Sequence, residues 1–185
     1  MNVFPQKAKW IEWSAIVANL GFTLLYIQQS NTAFLLGIIG PFLLGILSWD
    51  RKLYADVALQ LFYILITVWG WLHLKTTWHE TNISILEHLI AISSFLLVAL
   101  ITGYWLRKKT KAALPYLDSL VTSFSILATI LMMNGCRANW LYFIIINLTC
   151  IFLFANRKLY GISFLYFLYL LLAVEGYFEL GWIPS

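Results

Sequence analysis

The sequence predicts an all-α integral membrane protein of seven transmembrane helices, built as two parallel three-helix repeats around one linking helix. Three observations carry that prediction. Of the 185 residues, 62% are hydrophobic and 11% charged; a soluble domain carries about 25% charged residues, so this chain has too little polar surface to face water all round. Seven apolar runs, each near the ~20 residues that a bilayer-crossing helix needs, occupy almost the whole chain. A segment beginning at Asp50 recurs at Asn156, 106 positions later.

The first run, Trp10–Gln28, follows a start (MNVFPQKAKW) that has Lys7 and Lys9. No small-residue cleavage site follows that run, so it reads as a retained helix and not as a signal peptide. The second, Thr32–Trp49, contains Pro41; a proline in mid-helix frees a carbonyl and bends the axis, a pivot for rocking. The remaining runs are Tyr54–Leu72, Ile83–Leu106, Tyr116–Met133, Trp140–Ala155 and Tyr160–Tyr177. Together they form a single transmembrane domain, with repeat 1 at about 8–76, the linking helix at about 83–106 and repeat 2 at about 114–182. Trp10, Trp13, Trp49, Trp69, Trp71, Trp105, Trp140 and Trp182 fall near the ends of runs, as interfacial aromatic belts do.

Seven spans divide the cations unevenly. Lys7, Lys9, Arg51, Lys52, Arg107, Lys108, Lys109, Lys111, Arg157 and Lys158 fall on one side, and Lys75 and Arg137 on the other. Cytoplasmic loops hold the excess of Lys and Arg. The amino terminus is therefore placed inside and the carboxyl terminus outside. On this account the net charge of +4 marks topology, and no nucleic-acid partner is expected. The bilayer is the partner it implies.

The repeat is specific. DRKLYADVALQLFYILITVWGWLHL and NRKLYGISFLYFLYLLLAVEGYFEL match, without gaps, at Arg51, Lys52, Leu53, Tyr54, Leu59, Tyr63, Leu65, Val68, Gly70 and Leu74. The same offset pairs Glu12 with Asp118 and Thr23 with Thr129. Four helices separate the start of one repeat from the start of the next. Because that number is even, both repeats cross the membrane in the same direction. Parallel repeats of this kind are a transporter architecture, with the substrate bound between the halves near the midplane.

Polar groups in hydrocarbon are costly unless satisfied. Glu12, Asp56 and Asp118 lie near the cytoplasmic ends of their helices and read as interfacial anchors or partners of the loop cations. Glu87, His88 and Glu175 lie toward the outer ends. The central third holds Asn19, Gln60, Ser93, Ser94, Thr122, Ser123, Ser125, Asn147 and Thr149, all uncharged. Serine and threonine at such depths usually bond back to their own helix or sit at helix contacts. Gln60 and Asn147 are different, because a carboxamide has four hydrogen-bonding capacities that its own helix cannot all meet. A structural cross-helix bond and a substrate contact fit them equally. Asn147 aligns with Pro41 and Gln60 with Tyr166, so the halves differ where chemistry would occur. Phe143 lies one turn from Asn147 and shares its face. With Tyr63, Trp69, Tyr166 and Tyr169 on the third helices, such a set suits a flat heteroaromatic ligand, especially a cationic one. The candidate substrate-binding residues are Gln60, Phe143, Asn147, Tyr166, Ser123 and Asn19.

Other classes fit less well. His73, His79 and His88 form no metal-binding spacing, and no GxSxG or GxGxxG motif occurs, so neither enzyme activity nor a cofactor is expected. A retinal protein would need a buried lysine in the last helix, where none lies between Tyr160 and Tyr177. A heptahelical ligand receptor remains the rival class, without a cytoplasmic signalling segment longer than a loop. Cys136 and Cys150 are about 15 Å apart in expected depth and are read as packing residues, not a disulfide.

The segments YADVALQLFY, LPYLDSLVTSFSILATILM, NWLYFIIIN and RKLYGISFLYFLYLLLAVEGY resemble the PnuC-type bacterial vitamin transporters over nearly the whole chain. The resemblance implies a three-one-three helix fold like that of full-length SWEET sugar transporters. It also implies a homotrimer in the bacterial inner membrane and facilitated diffusion of an unphosphorylated vitamin, trapped by cytoplasmic phosphorylation. Nicotinamide riboside members carry a WxxW pair followed four residues later by Asn. Here Trp140 and Asn147 match that pattern, Phe143 stands at the second Trp, and the third-helix glutamine is kept as Gln60. Relatives lacking the second Trp are similar to those assigned to thiamine, less often to riboflavin. The resemblance thus implies thiamine as substrate, with nicotinamide riboside and then riboflavin as alternatives.

Overall fold

The computed structural model describes residues 5–27, 30–73, 82–110 and 114–181. Gln28, Leu74, Lys75, His79, Lys111 and Trp182, named above, lie outside them. The described chain forms α1 (Pro5–Ile27), α2 (Ala33–Asp50), α3 (Tyr54–His73), α4 (Ile85–Lys109), α5 (Pro115–Met133), α6 (Asn139–Asn156) and α7 (Tyr160–Phe178). Six of them, α2 to α7, are each long and apolar enough to cross a bilayer. α1 starts five residues before the apolar run begins, because a helix can continue past the hydrocarbon edge and Pro5 suits its first turn. α4 starts at Ile85 behind a reciprocal Ser84–Glu87 capping box, which satisfies two orphan backbone donors. Arg107, Lys108 and Lys109 fill its last turn, where cations complement the helix dipole.

The chain divides into two compact units, one of α1–α3 and one of α4–α7. In the first, α2 packs against both α1 and α3. Small residues allow this close approach, as between helices in lipid generally. A Cβ placed on Gly37 would lie 2.7 Å from the Phe22 ring, and one on Gly40 would lie 2.5 Å from Asn19 Nδ2. In the second unit, α5 packs against α4 and α6, and α6 against α7. Gly103 of α4 sits against Tyr116 of α5. The rest of α4 is largely exposed, its buried residues being Ala99, Gly103 and Leu106.

The turns after α2 and α6 have the same form. Arg51 and Arg157 close the helices, and Lys52 (φ 60°) and Lys158 (φ 58°) are left-handed. Leu53 then donates its N–H to the Ser48 carbonyl at 2.8 Å, as Leu159 does to that of Phe154 at 2.9 Å. Leu53 and Leu159 are both buried. At the other end of the second unit, Arg137 Nη2 donates to the Tyr177 carbonyl at 2.7 Å and lies 3.2 Å from Glu179 Oε1, tying the α5–α6 turn to the end of α7. Cys136 and Cys150 are buried and not joined in a disulfide.

Candidate functional site

Five hydroxyls in the helices behave as their chemistry dictates. Thr23, Ser93, Thr102, Thr129 and Thr149 each donate to the carbonyl four residues earlier, which satisfies the hydroxyl within its own helix. Ser163 instead crosses from α7 to the Ile151 carbonyl of α6 at 2.9 Å.

Of the six candidate residues, Asn19 and Gln60 belong to the first unit. Asn19 is buried against Gly40, and its Nδ2 donates to the Ala15 carbonyl at 2.8 Å. Gln60 is 3% exposed. Its Nε2 donates to Asp56 Oδ1 at 3.2 Å, Ser48 Oγ donates to Asp56 Oδ2, and Gln60 Oε1 is buried with no partner. Asp56, expected as an interfacial anchor, thus reaches inward to a buried serine and a buried carboxamide. Gln60 also lines a groove of about 290 Å³ between α2 and α3, together with Pro41, Gly45, Ile46 and Leu61.

The other four candidates belong to the second unit. Asn147 is 5% exposed on α6, and no hydrogen bond holds its side chain among the described residues. Phe143, one turn earlier, is half-buried, and Ser123 is buried on α5. Tyr166 stacks on Phe154 with centroids 5.2 Å apart and meets Tyr169 edge-on at 6.1 Å.

Three features escaped the sequence. Asp56 and Gln60 are four apart on one helix, a spacing that brings side chains together, but Ser48 joins them only through the α2–α3 turn. Trp140 is half-buried against Gly176, where an added Cβ would fall 2.4 Å from Trp140 Cε2; it is not a free belt residue. Trp10, Trp49 and Trp105, by contrast, are exposed. Asp118 accepts from Arg157, as an acid beside the loop cations should, and His88 Nδ1 lies 3.0 Å from the Tyr142 hydroxyl.

A multi-pass membrane protein results, whose buried polar side chains are carboxamides and hydroxyls together with the carboxylates of Asp118 and Glu175. It matches the family described as "Nicotinamide mononucleotide transporter" over residues 9–183, and the chain belongs to that family of membrane transporters. Among its relatives is the nicotinamide riboside transporter PnuC of Escherichia coli (strain K12), 25% identical over 207 residues that cover 95% of this chain and 86% of the relative. The Shigella flexneri protein of the same name matches to the same extent. The crystal structure of the vitamin B3 transporter PnuC shares the fold, with a TM-score of 0.76 and 22% identity over 95% of this chain and 82% of that one. These relatives are transporters, not enzymes. They are named for nicotinamide riboside or vitamin B3 and not for thiamine, the vitamin to which Phe143 pointed.

Proposed function

We propose that the protein takes up unphosphorylated nicotinamide riboside across the bacterial inner membrane by facilitated diffusion, with cytoplasmic phosphorylation trapping the product. The names of the relatives support that choice of vitamin. The observation that carries a substrate-binding role is Gln60 Oε1, a buried carboxamide oxygen with no hydrogen-bond partner, together with a second buried carboxamide, Asn147. Buried polar groups are nearly always paired, so a ligand with its own donors and acceptors completes them. Asn19, Ser123, Phe143 and Tyr166 are the further contacts in this reading. Thiamine is the second reading, favoured by Phe143 at the position of the second Trp. Both vitamins contain a cationic aromatic ring that the aromatic side chains suit.

The same reading includes seven crossings, a cytoplasmic amino terminus, a homotrimer and a three-one-three arrangement of parallel repeats. The last is supported by α2 and α6, and α3 and α7, which begin 106 positions apart (33 and 139; 54 and 160). The test is calorimetric titration of the purified protein with nicotinamide riboside, thiamine and riboflavin, alone and with Asn147→Leu. Nicotinamide riboside is expected to bind tightest, and the leucine to weaken it by about 1–3 kcal/mol, the usual cost of an unpaired buried group. Tightest binding of thiamine would overturn the choice of vitamin, and unchanged binding by Asn147→Leu would overturn the site.

A further inference from the structure

A carboxamide can present either its oxygen or its nitrogen to a ligand, and an unrestrained one presents both. Gln60 is restrained. An ionised carboxylate only accepts hydrogen bonds, so the group that Gln60 turns toward Asp56 Oδ1 is its Nε2 donor, at 3.2 Å. Ser48 Oγ donates to the other carboxylate oxygen and is 1% exposed, so it holds the carboxylate from the far side. The atom left over is Gln60 Oε1, an acceptor that is buried and has no partner.

Packing alone does not demand this trio. At the offset of 106 positions, Ser48, Asp56 and Gln60 correspond to Phe154, Ile162 and Tyr166. There the same helix–turn–helix closes with Phe154 stacked on Tyr166 at 5.2 Å and Ile162 buried. A buried polar network with one group unmet is worse for stability than an apolar core. The fold has the apolar solution available and uses it once, so the polar version serves something other than folding.

We infer that Asp56 and Ser48 are positioning residues: they fix the Gln60 carboxamide so that its oxygen is offered to the substrate, which must place a hydrogen-bond donor there, a hydroxyl, amide N–H or amino group. This rests on the reading of Gln60 as a substrate contact. It also gives the transporter a basis for refusing analogues that carry only acceptors at that position, because oxygen would then face oxygen without a bridging proton.

A double-mutant cycle on nicotinamide riboside affinity tests the role. Gln60→Leu is expected to weaken binding by about ten-fold or more, the affinity equivalent of about one hydrogen bond. Asp56→Asn removes the restraint, since asparagine can donate as well as accept, and is expected to weaken binding by a similar factor in folded, monodisperse protein. The double variant should bind no worse than Gln60→Leu alone, because Asp56 acts only through Gln60. A merely structural Asp56 would weaken binding in both backgrounds, and independent factors that multiply would overturn the inference. So would an effect of Gln60→Leu with none of Asp56→Asn. No effect of Gln60→Leu would sink the substrate contact itself. If Asp56→Asn does not yield folded protein, Ser48→Ala enters the same cycle, with Ser48→Thr expected to restore binding by keeping the hydroxyl. A Ser48→Ala loss that persists beside Gln60→Leu would overturn the role.

Discussion

Arg157 Nη2 lies 2.7 Å from Asp118 Oδ1 and 2.8 Å from Oδ2, whereas 106 positions earlier Arg51 is exposed and forms no ion pair with Glu12. Asp118 and Arg157 are drawn together inside the protein, whereas Arg51 is exposed and Glu12 half-buried. The two sets of residues differ in what they contribute. Removing one partner of a buried pair strands the other charge and costs about 3–5 kcal/mol, while exposed pairs contribute about 0–1 kcal/mol.

Asp118→Asn is therefore expected to destabilise the protein by about 3 kcal/mol. Glu12→Gln should stay within about 0.5 kcal/mol. Thermal unfolding in detergent ranks the two. Equal losses would show that the Asp118–Arg157 contact carries no special weight.

The contact of Trp140 with Gly176 leaves no room for a methyl group. Gly176→Ala should displace the indole and weaken vitamin binding, at an overpacking cost of about 1–3 kcal/mol. Gly21→Ala is the control: its Cβ would meet only the end of Leu36, at 2.8 Å, which a rotamer change relieves. Titration of both variants with nicotinamide riboside decides whether the indole position matters, and equal affinities would show that it does not.

Phe143→Trp places a second Trp three residues after Trp140. The ratio of nicotinamide riboside to thiamine affinity should rise, because selectivity is a difference between two binding free energies. A competition assay reads that ratio directly. An unchanged value would remove position 143 from substrate choice and, with it, the basis of the thiamine reading.

Ion-coupled carriers generally hold their ion at an ionisable residue deep in the membrane. The central polar residues here are carboxamides and hydroxyls, with Asp56 and Asp118 in the first turns of α3 and α5. Liposomes containing the protein should therefore equilibrate labelled vitamin and stop. Accumulation under a proton or sodium gradient, with the membrane potential clamped to zero, would contradict uniport.

The helices were legible because lipid imposes one requirement along each span, and composition records it. The run at Thr32–Trp49 is α2 shifted by one residue. Pro5 and Lys109 were missed as helix ends because hydropathy stops at the edge of the hydrocarbon while hydrogen bonding does not. The Ser84–Glu87 box was written in the sequence as S-x-x-E and went unused. The candidate residues stood out by depth alone. Their partners were not legible, since a serine eight positions from an aspartate meets it only once a turn has set the crossing of two helices. The approach of Trp140 to Gly176 likewise depends on how α6 and α7 lie together.

The left-handed lysines at 52 and 158 set two requirements against each other at the two RKLY turns. A glycine would take φ near 60° without penalty, while a residue with a Cβ gives up about 1–2 kcal/mol there. Glycine, however, would remove a cation from each loop, and loop cations set the direction in which neighbouring helices enter the membrane. A glycine at 52 or 158 would therefore relax the turn and remove a loop cation in the same step.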